Sequence, residues 1–268
     1  MAHHRPKNGG LVEVGPVQST LTFIYAKYEI PILRLLDATT RLFLRLKGRP
    51  VLWVLSRVLG TFLPTAEVVT HEQASDFIDA ISGLEKTQIA VGPCMCQKAL
   101  NKRSGTYMKD MVILYGSDAY KRAYGDEYHD VTPEEAKKLL KEFSDEGLIP
   151  TFFACVHSGG WIYAICNCES EICFPFRAHQ AAGAVMFPGR FVVSVDAEKC
   201  TQCGQCVDRC HFGANRLDGS GMVDVSKCYG CGLCVSTCGG GAREMVERAD
   251  YRNRYYPLKL VSAMSHSH

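Results

Sequence analysis

The chain has 268 residues, 14 of them cysteine, with 47% hydrophobic residues, 22% charged residues and a formal net charge of +2. A chain of this length can bury a core without disulfide staples, so the cysteines need another explanation. The composition excludes collagen-like, coiled-coil and largely disordered chains, and the near-neutral charge offers no basic field for nucleic acid.

Residues 1–16 are polar, contain Gly and Pro, and read as a flexible tail. Residues 17–66 read as a basic amphipathic helical arm. Lys27, Arg34, Arg41, Arg45, Lys47, Arg49 and Arg57 face only Glu29 and Asp37. Arg34, Asp37, Arg41 and Arg45 share one helical face, and Leu35, Leu36, Leu42, Phe43 and Leu46 supply another, with a break near Gly48 and Pro50. Such a helix either packs on its own domain with a solvated basic face or makes peripheral contact with an anionic membrane or a partner through residues 17–63. The apolar stretch from Pro50 to Glu67 is interrupted by Arg57 and Gly60, too short and too charged to span a bilayer. The first residues lack an apolar leader core, so the expected location is cytoplasmic. In that reducing compartment clustered cysteines read as metal ligands or redox groups.

Residues 67–190 read as an α+β domain. Thr70 with Gln73 makes a capping box for a helix to about Ile81, and Thr132, Pro133 and Glu135 open another that ends near Gly147. Apolar runs over 88–91, 111–115, 152–156 and 161–165 read as strands.

Residues 191–248 carry an internal repeat with an offset of 28 residues, mapping Lys199 on Lys227, Gly204 on Gly232 and Val207 on Val235. Each unit holds four cysteines at x2, x2, x3 spacing: Cys200, Cys203, Cys206 and Cys210, then Cys228, Cys231, Cys234 and Cys238. Three thiolates on one tight loop reach three irons of a cubane, and the fourth, expected to open a short helix, crosses to the other cluster. Cluster I would use Cys200, Cys203, Cys206 and Cys238, and cluster II Cys228, Cys231, Cys234 and Cys210. Zinc sites instead pair two short-spaced cysteines with two distant ligands. Short strands over 191–195 and 222–225 are expected to lead into the loops, and Tyr229 to shield a cluster from water. Residues 249–268 form a C-terminal tail.

Residues 196–242 resemble the two-cluster, bacterial-type 4Fe-4S ferredoxin domain. They depart from it where His211 and Gly239 replace the usual Pro after the fourth cysteine. His211 reads either as a loop-surface residue in place of that Pro or as a group that couples protonation to cluster reduction.

Six cysteines remain: Cys94, Cys96, Cys155, Cys166, Cys168 and Cys173. Each Cys-x-Cys pair follows an expected strand. If those strands are parallel neighbours, both pairs meet at one sheet edge. Four thiolates there suffice for a third 4Fe-4S cluster, with Cys94, Cys96, Cys166, Cys168 and Cys173 as candidates. A zinc site and buried structural or redox-active thiols compete with that reading. Cys94-Met-Cys96, Thr132-Pro-Glu-Glu135 and Ile165-Cys-Asn-Cys168, in this order before a ferredoxin domain, resemble a less described group of bacterial and archaeal 4Fe-4S binding proteins. The resemblance implies electron transfer.

The sequence thus reads as an α+β protein that relays electrons between redox partner proteins in a larger oxidoreductase complex, through two 4Fe-4S clusters and a candidate third. The catalytic alternative is substrate reduction at that third centre.

Overall fold

The computed structural model describes residues 16–45, 65–83, 88–154, 161–182, 185–217 and 223–252. Cys155, the break expected near Gly48 and Pro50, and most of the C-terminal tail lie outside them.

The expected α+β class is correct. The chain runs α1 (Pro16–Arg45), β1 (Thr65–Val68), α2 (His71–Ser82), β2 (Ile89–Pro93), α3 (Met95–Leu100), β3 (Met108–Ile113), α4 (Tyr115–Tyr124) and β4 (His129–Asp130). It continues with α5 (Pro133–Glu146), β5 (Ile149–Ala154), β6 (Ile162–Cys168), α6 (Phe174–Ala182) and β7 (Met186–Phe187). The last part holds β8 (Phe191–Val195), α7 (Gln205–Asp208), α8 (Leu233–Ser236) and β9 (Arg243–Glu247).

Seven strands form one sheet in the order β4-β2-β3-β6-β5-β1-β7. Neighbours are antiparallel except β1 and β7. Strands β2 and β6 are therefore parallel to each other but are not neighbours, because β3 lies between them and opposes both. Their carboxyl ends still fall at the same end of the sheet.

The register shows why the strands are apolar on both faces. Ala90, Val112, Ala164 and Phe153 form one cross-strand row, and Val91, Met111, Ile165 and Phe152 form the next. Successive residues face opposite sides of a strand. The first row packs under α1, α3, α4 and α6, with Ala26, Leu33, Met95, Ala119 and Phe174. The second packs under α2 and α5, with Phe77, Ile78, Ile81, Ala136 and Leu140. Both capping boxes form as expected. Thr70 and Thr132 Oγ1 accept from Gln73 N and Glu135 N, both at 3.2 Å. Gly147 ends α5 in the left-handed region with φ 95°.

Helix α1 lies along the first face, with its two acids turned inward. Asp37 is buried between Arg41, at 2.7 Å, and Arg177 of α6. Arg34 Nε donates to Ala99 O at 2.8 Å. Val17, Leu21, Ile24, Tyr28, Leu35 and Leu42 stand on the exposed side.

Strands β8 and β9 form a separate antiparallel pair, Val195 opposite Arg243. The strand expected over 222–225 does not form. Val223 makes only a single bridge to Asn215, and a 3-10 turn capped by Asp224 follows at Val225–Lys227. Strand β9, rich in charge, is the real partner of β8.

Candidate metal centres

The repeat is visible in the backbone as well as the sequence. Gly230, before Cys231, has φ +80°, and the equivalent Gln202 has φ +55°. Gly230 is required: a Cβ there would stand 2.1 Å from Phe191 O. Cys206 and Cys234 lie in the short helices α7 and α8. The fourth cysteine does not open a helix as expected. Cys210 and Cys238 each follow one, in the turn that closes it, and their N–H groups donate to Val207 O and Val235 O at 3.1 and 3.0 Å.

Two cavities result. One is lined by Cys200, Cys203, Cys206 and Cys238, and the other by Cys228, Cys231, Cys234 and Cys210. In each, the fourth thiol that lines the cavity comes from the other repeat. Asn215 ties the loops together. It donates to Cys206 O at 2.8 Å and accepts from Arg243 Nη1 at 2.7 Å. Ala214 N–H points at Cys210 Sγ at 3.3 Å, the kind of contact that stabilises a cluster sulfur.

The two cavities differ electrostatically. Cys203 is exposed, and N–H and hydroxyl donors from Gln205 and Thr201 hold its thiol below the ordinary range. Burial pushes Cys231 well up and Cys234 up to about 11. Cluster loading deprotonates these thiols and so releases protons.

At the carboxyl ends of β2 and β6 a third cavity, of about 680 Å³ including its mouth, opens under α1. Cys94, Cys96, Cys166, Cys168 and Cys173 all line it. The geometry follows from the sheet. Cys166 and Cys168 alternate with Asn167 and so share the face under α1. Cys94 caps α3, Cys96 sits in its first turn, and Cys173 immediately precedes α6. The thiols of Cys94, Cys96, Cys173 and Cys168 form a continuous chain of contacts. Cys166 faces the same cavity but is engaged by a carboxyl. It is the cross-strand partner of Asp110 and donates to Asp110 Oδ1 at 3.1 Å.

Bonds from Cys173 and Cys94, then the Phe174 N–H at 3.4 Å and the charge of Arg177, draw the Cys96 thiol well below its ordinary range. The Cys94 thiol is raised, first by its bond to Cys96, and burial raises Cys166 and Cys173. Opposite shifts in neighbouring thiols are the expected compromise where several ionisable groups crowd in low dielectric. Among the described residues no three His, Cys, Asp or Glu side chains converge on a single ion. In the ferredoxin loops and in the sheet pocket alike, thiols surround a cavity.

Two carboxyls face the sheet pocket that sequence reasoning missed. Tyr120 OH donates to Glu29 Oε2 at 2.8 Å, and Tyr128 OH to Asp110 Oδ2 at 2.7 Å. Burial raises both, Asp110 to about 6. Gly92 makes room for this: a Cβ there would stand 2.4 Å from the Tyr128 ring. The signal for Asp110 was a charged pair, Lys109-Asp110, in an otherwise apolar strand. Glu29, one of two acids on a basic helix, gave none. Lys109 pairs with Glu169.

His211 is not at a free loop surface. Its Nε2 donates to Gly147 O at 2.9 Å, and its Nδ1 shares a hydrogen bond with Ser170 Oγ at 3.0 Å. Tyr229 stacks on Phe212, with ring centroids 4.3 Å apart, and its hydroxyl meets His179.

No curated protein and no solved structure matches the chain. Residues 192–239 do match the family model described as a 4Fe-4S dicluster domain. This segment of the chain, with its two four-cysteine cavities, is therefore a ferredoxin-type domain that binds 4Fe-4S clusters and serves iron–sulfur electron transfer.

Proposed function

We propose that the protein relays electrons between redox partner proteins, as a subunit of a larger cytoplasmic oxidoreductase system. Cys200, Cys203, Cys206 and Cys238 hold cluster I, and Cys228, Cys231, Cys234 and Cys210 hold cluster II. The observation that carries this reading is the exchange of fourth thiols between the two cavities. When bound, the clusters supply one-electron chemistry. The protein's part is to exclude water, supply N–H donors to sulfur and set the local charge.

The reading extends to a third 4Fe-4S centre held by Cys94, Cys96, Cys168 and Cys173. These four form the contiguous thiol chain, while Cys166 is engaged by Asp110. The tally of metal after anaerobic purification tests both parts. About eight irons per chain support clusters I and II alone, about twelve support the third, and zinc without iron refutes the whole reading.

One observation favours the catalytic alternative, reduction of a substrate at the third centre. Glu29 and Asp110 are buried at the cavity and, among the described residues, are held by tyrosine hydroxyls without an ion-pair partner. A carboxyl that carries a proton there is placed to deliver it to a substrate as the centre delivers an electron. Turnover of a small molecule without a partner enzyme would support it.

Peripheral membrane contact is a matter for α1, whose exposed side carries apolar residues beside Lys27 and Arg41. No helix among the described residues is long and apolar enough to cross a membrane. No role in nucleic-acid binding is proposed.

A further inference from the structure

The loop that carries Cys210 touches the loop that carries Cys168 and Cys173. His211 follows Cys210 directly, and its ring bonds to Ser170, which lies between Cys168 and Cys173. Beside this bond Phe212 packs on Phe176 at 5.3 Å, and Phe174 and Pro175, just before it, line the sheet pocket. Tyr229, next to Cys228, adds a second contact through His179 of α6. Arg209, on the other side of Cys210, donates to Ser144 O at 2.9 Å and also to Asp145 O. The ferredoxin domain thus docks on the sheet domain through residues that flank cluster II ligands. Both cluster cavities are lined by ferredoxin residues, but the set assigned to cluster I includes the exposed Cys203, whereas none of the four cysteines assigned to cluster II is exposed.

We propose that the His211–Ser170 hydrogen bond is the electron bridge between cluster II and the sheet pocket, which makes cluster I the outward-facing member of the pair. The inference rests on the third centre proposed above. In the step, cluster II loses one electron and the pocket centre gains one, with no bond made or broken. His211 is a positioning residue. Gly147 O can only accept, so Nε2 donates to it, and Nδ1 shares a hydrogen bond with the Ser170 hydroxyl. That fixes the ring between the two ligand loops. The covalent path is short on both sides: one peptide unit from Cys210 to His211, and two or three residues from Ser170 to Cys168 and Cys173.

The test uses the full reconstituted chain and two substitutions at a residue that ligates nothing. Ser170→Ala removes the bridge, and Ser170→Thr restores a hydroxyl. Iron is counted first, and the loaded proteins are then flash-reduced and freeze-quenched for EPR, which reads the arrival of the electron at each centre. The proposal expects twelve irons in all three proteins, a fast phase at the pocket centre in wild type and Ser170→Thr, and its loss in Ser170→Ala. Selective ¹⁵N-histidine labelling should also show a weakly coupled nitrogen at the reduced cluster II, and this coupling should vanish in His211→Gln. Twelve irons with an unchanged fast phase in Ser170→Ala would overturn the bridge alone. Eight irons in wild type would overturn the third centre and the bridge with it.

Discussion

Replacing Gly230 by Ala tests whether the cluster II loop is as tightly constrained as its backbone implies. The residue sits at φ +80°, where an L side chain costs about 1–2 kcal/mol. The added Cβ would also stand 2.1 Å from Phe191 O, a backbone atom of β8 that cannot swing away. Since β8 is locked to β9 from Phe191 opposite Glu247 to Val195 opposite Arg243, relief requires moving a paired strand or the loop. Strain of that kind adds roughly 1–3 kcal/mol, so the total is about 2–5 kcal/mol. The equivalent Gln202 shows that the left-handed angle by itself is tolerated, so the clash with β8 is the decisive part. Anaerobic guanidinium titration, followed by the visible absorption of the clusters and by far-UV circular dichroism, measures the loss. Gly230→Ala should lower the unfolding midpoint and lose cluster II iron first. A variant with the midpoint and iron content of wild type would refute the reasoning.

Cys210→Ser should cost the cluster held by Cys228, Cys231 and Cys234 and leave the other, although Cys210 is in the first repeat; EPR of the remaining reduced cluster shows which survives. Asp110→Asn should matter more at high pH. Burial pushes this carboxyl up to about 6 from an ordinary value of 3.8, so the stability it contributes is full below pH 3.8 and lost as the pH rises through 6. At pH 8 the substitution should therefore stabilise by up to about 3 kcal/mol, and at pH 3.5 it should have almost no effect, as read by urea midpoints at the two pH values. Arg209→Ala removes the guanidinium from the carbonyls at the end of α5 and should loosen the ferredoxin domain by about 1–3 kcal/mol. Hydrogen exchange should then rise along 209–212 and 144–147 while the centre of the sheet stays protected.

What the sequence made legible was local. Both capping boxes were written in four-residue patterns, and the eight ferredoxin cysteines fell at the spacing that sorts them into two sets. The strands over 88–91, 111–115, 152–156 and 161–165 exist with shifted ends, because apolar runs mark the buried centre of a strand better than its polar termini. Strand order was not legible. That β2 and β6 are parallel neighbours was an expectation posed only as a condition; they are parallel, but β3 between them is a non-local choice that no window of residues encodes. The expectation still brought the right cysteines together, since direction alone fixes which end of the sheet a strand's last residues reach. Strand β9 was hidden by its composition: Arg243, Glu244 and Glu247 break any apolar run, and the burial of Arg243 against Asn215 is a tertiary contact that no local pattern encodes. His211 was misplaced because its partners, Gly147 and Ser170, lie in another domain.

The exchange of fourth thiols has a consequence for assembly. Neither repeat can complete its own cavity, so a chain severed between Leu217 and Val223 would leave two fragments, each one thiol short of a set. Cys210 closes what the second repeat begins, and Cys238 closes what the first begins. The two runs behave as the halves of a clasp. The domain can be filled only once its last cysteine has been made and has travelled back to the start, which makes cofactor capture a checkpoint on completion of the domain.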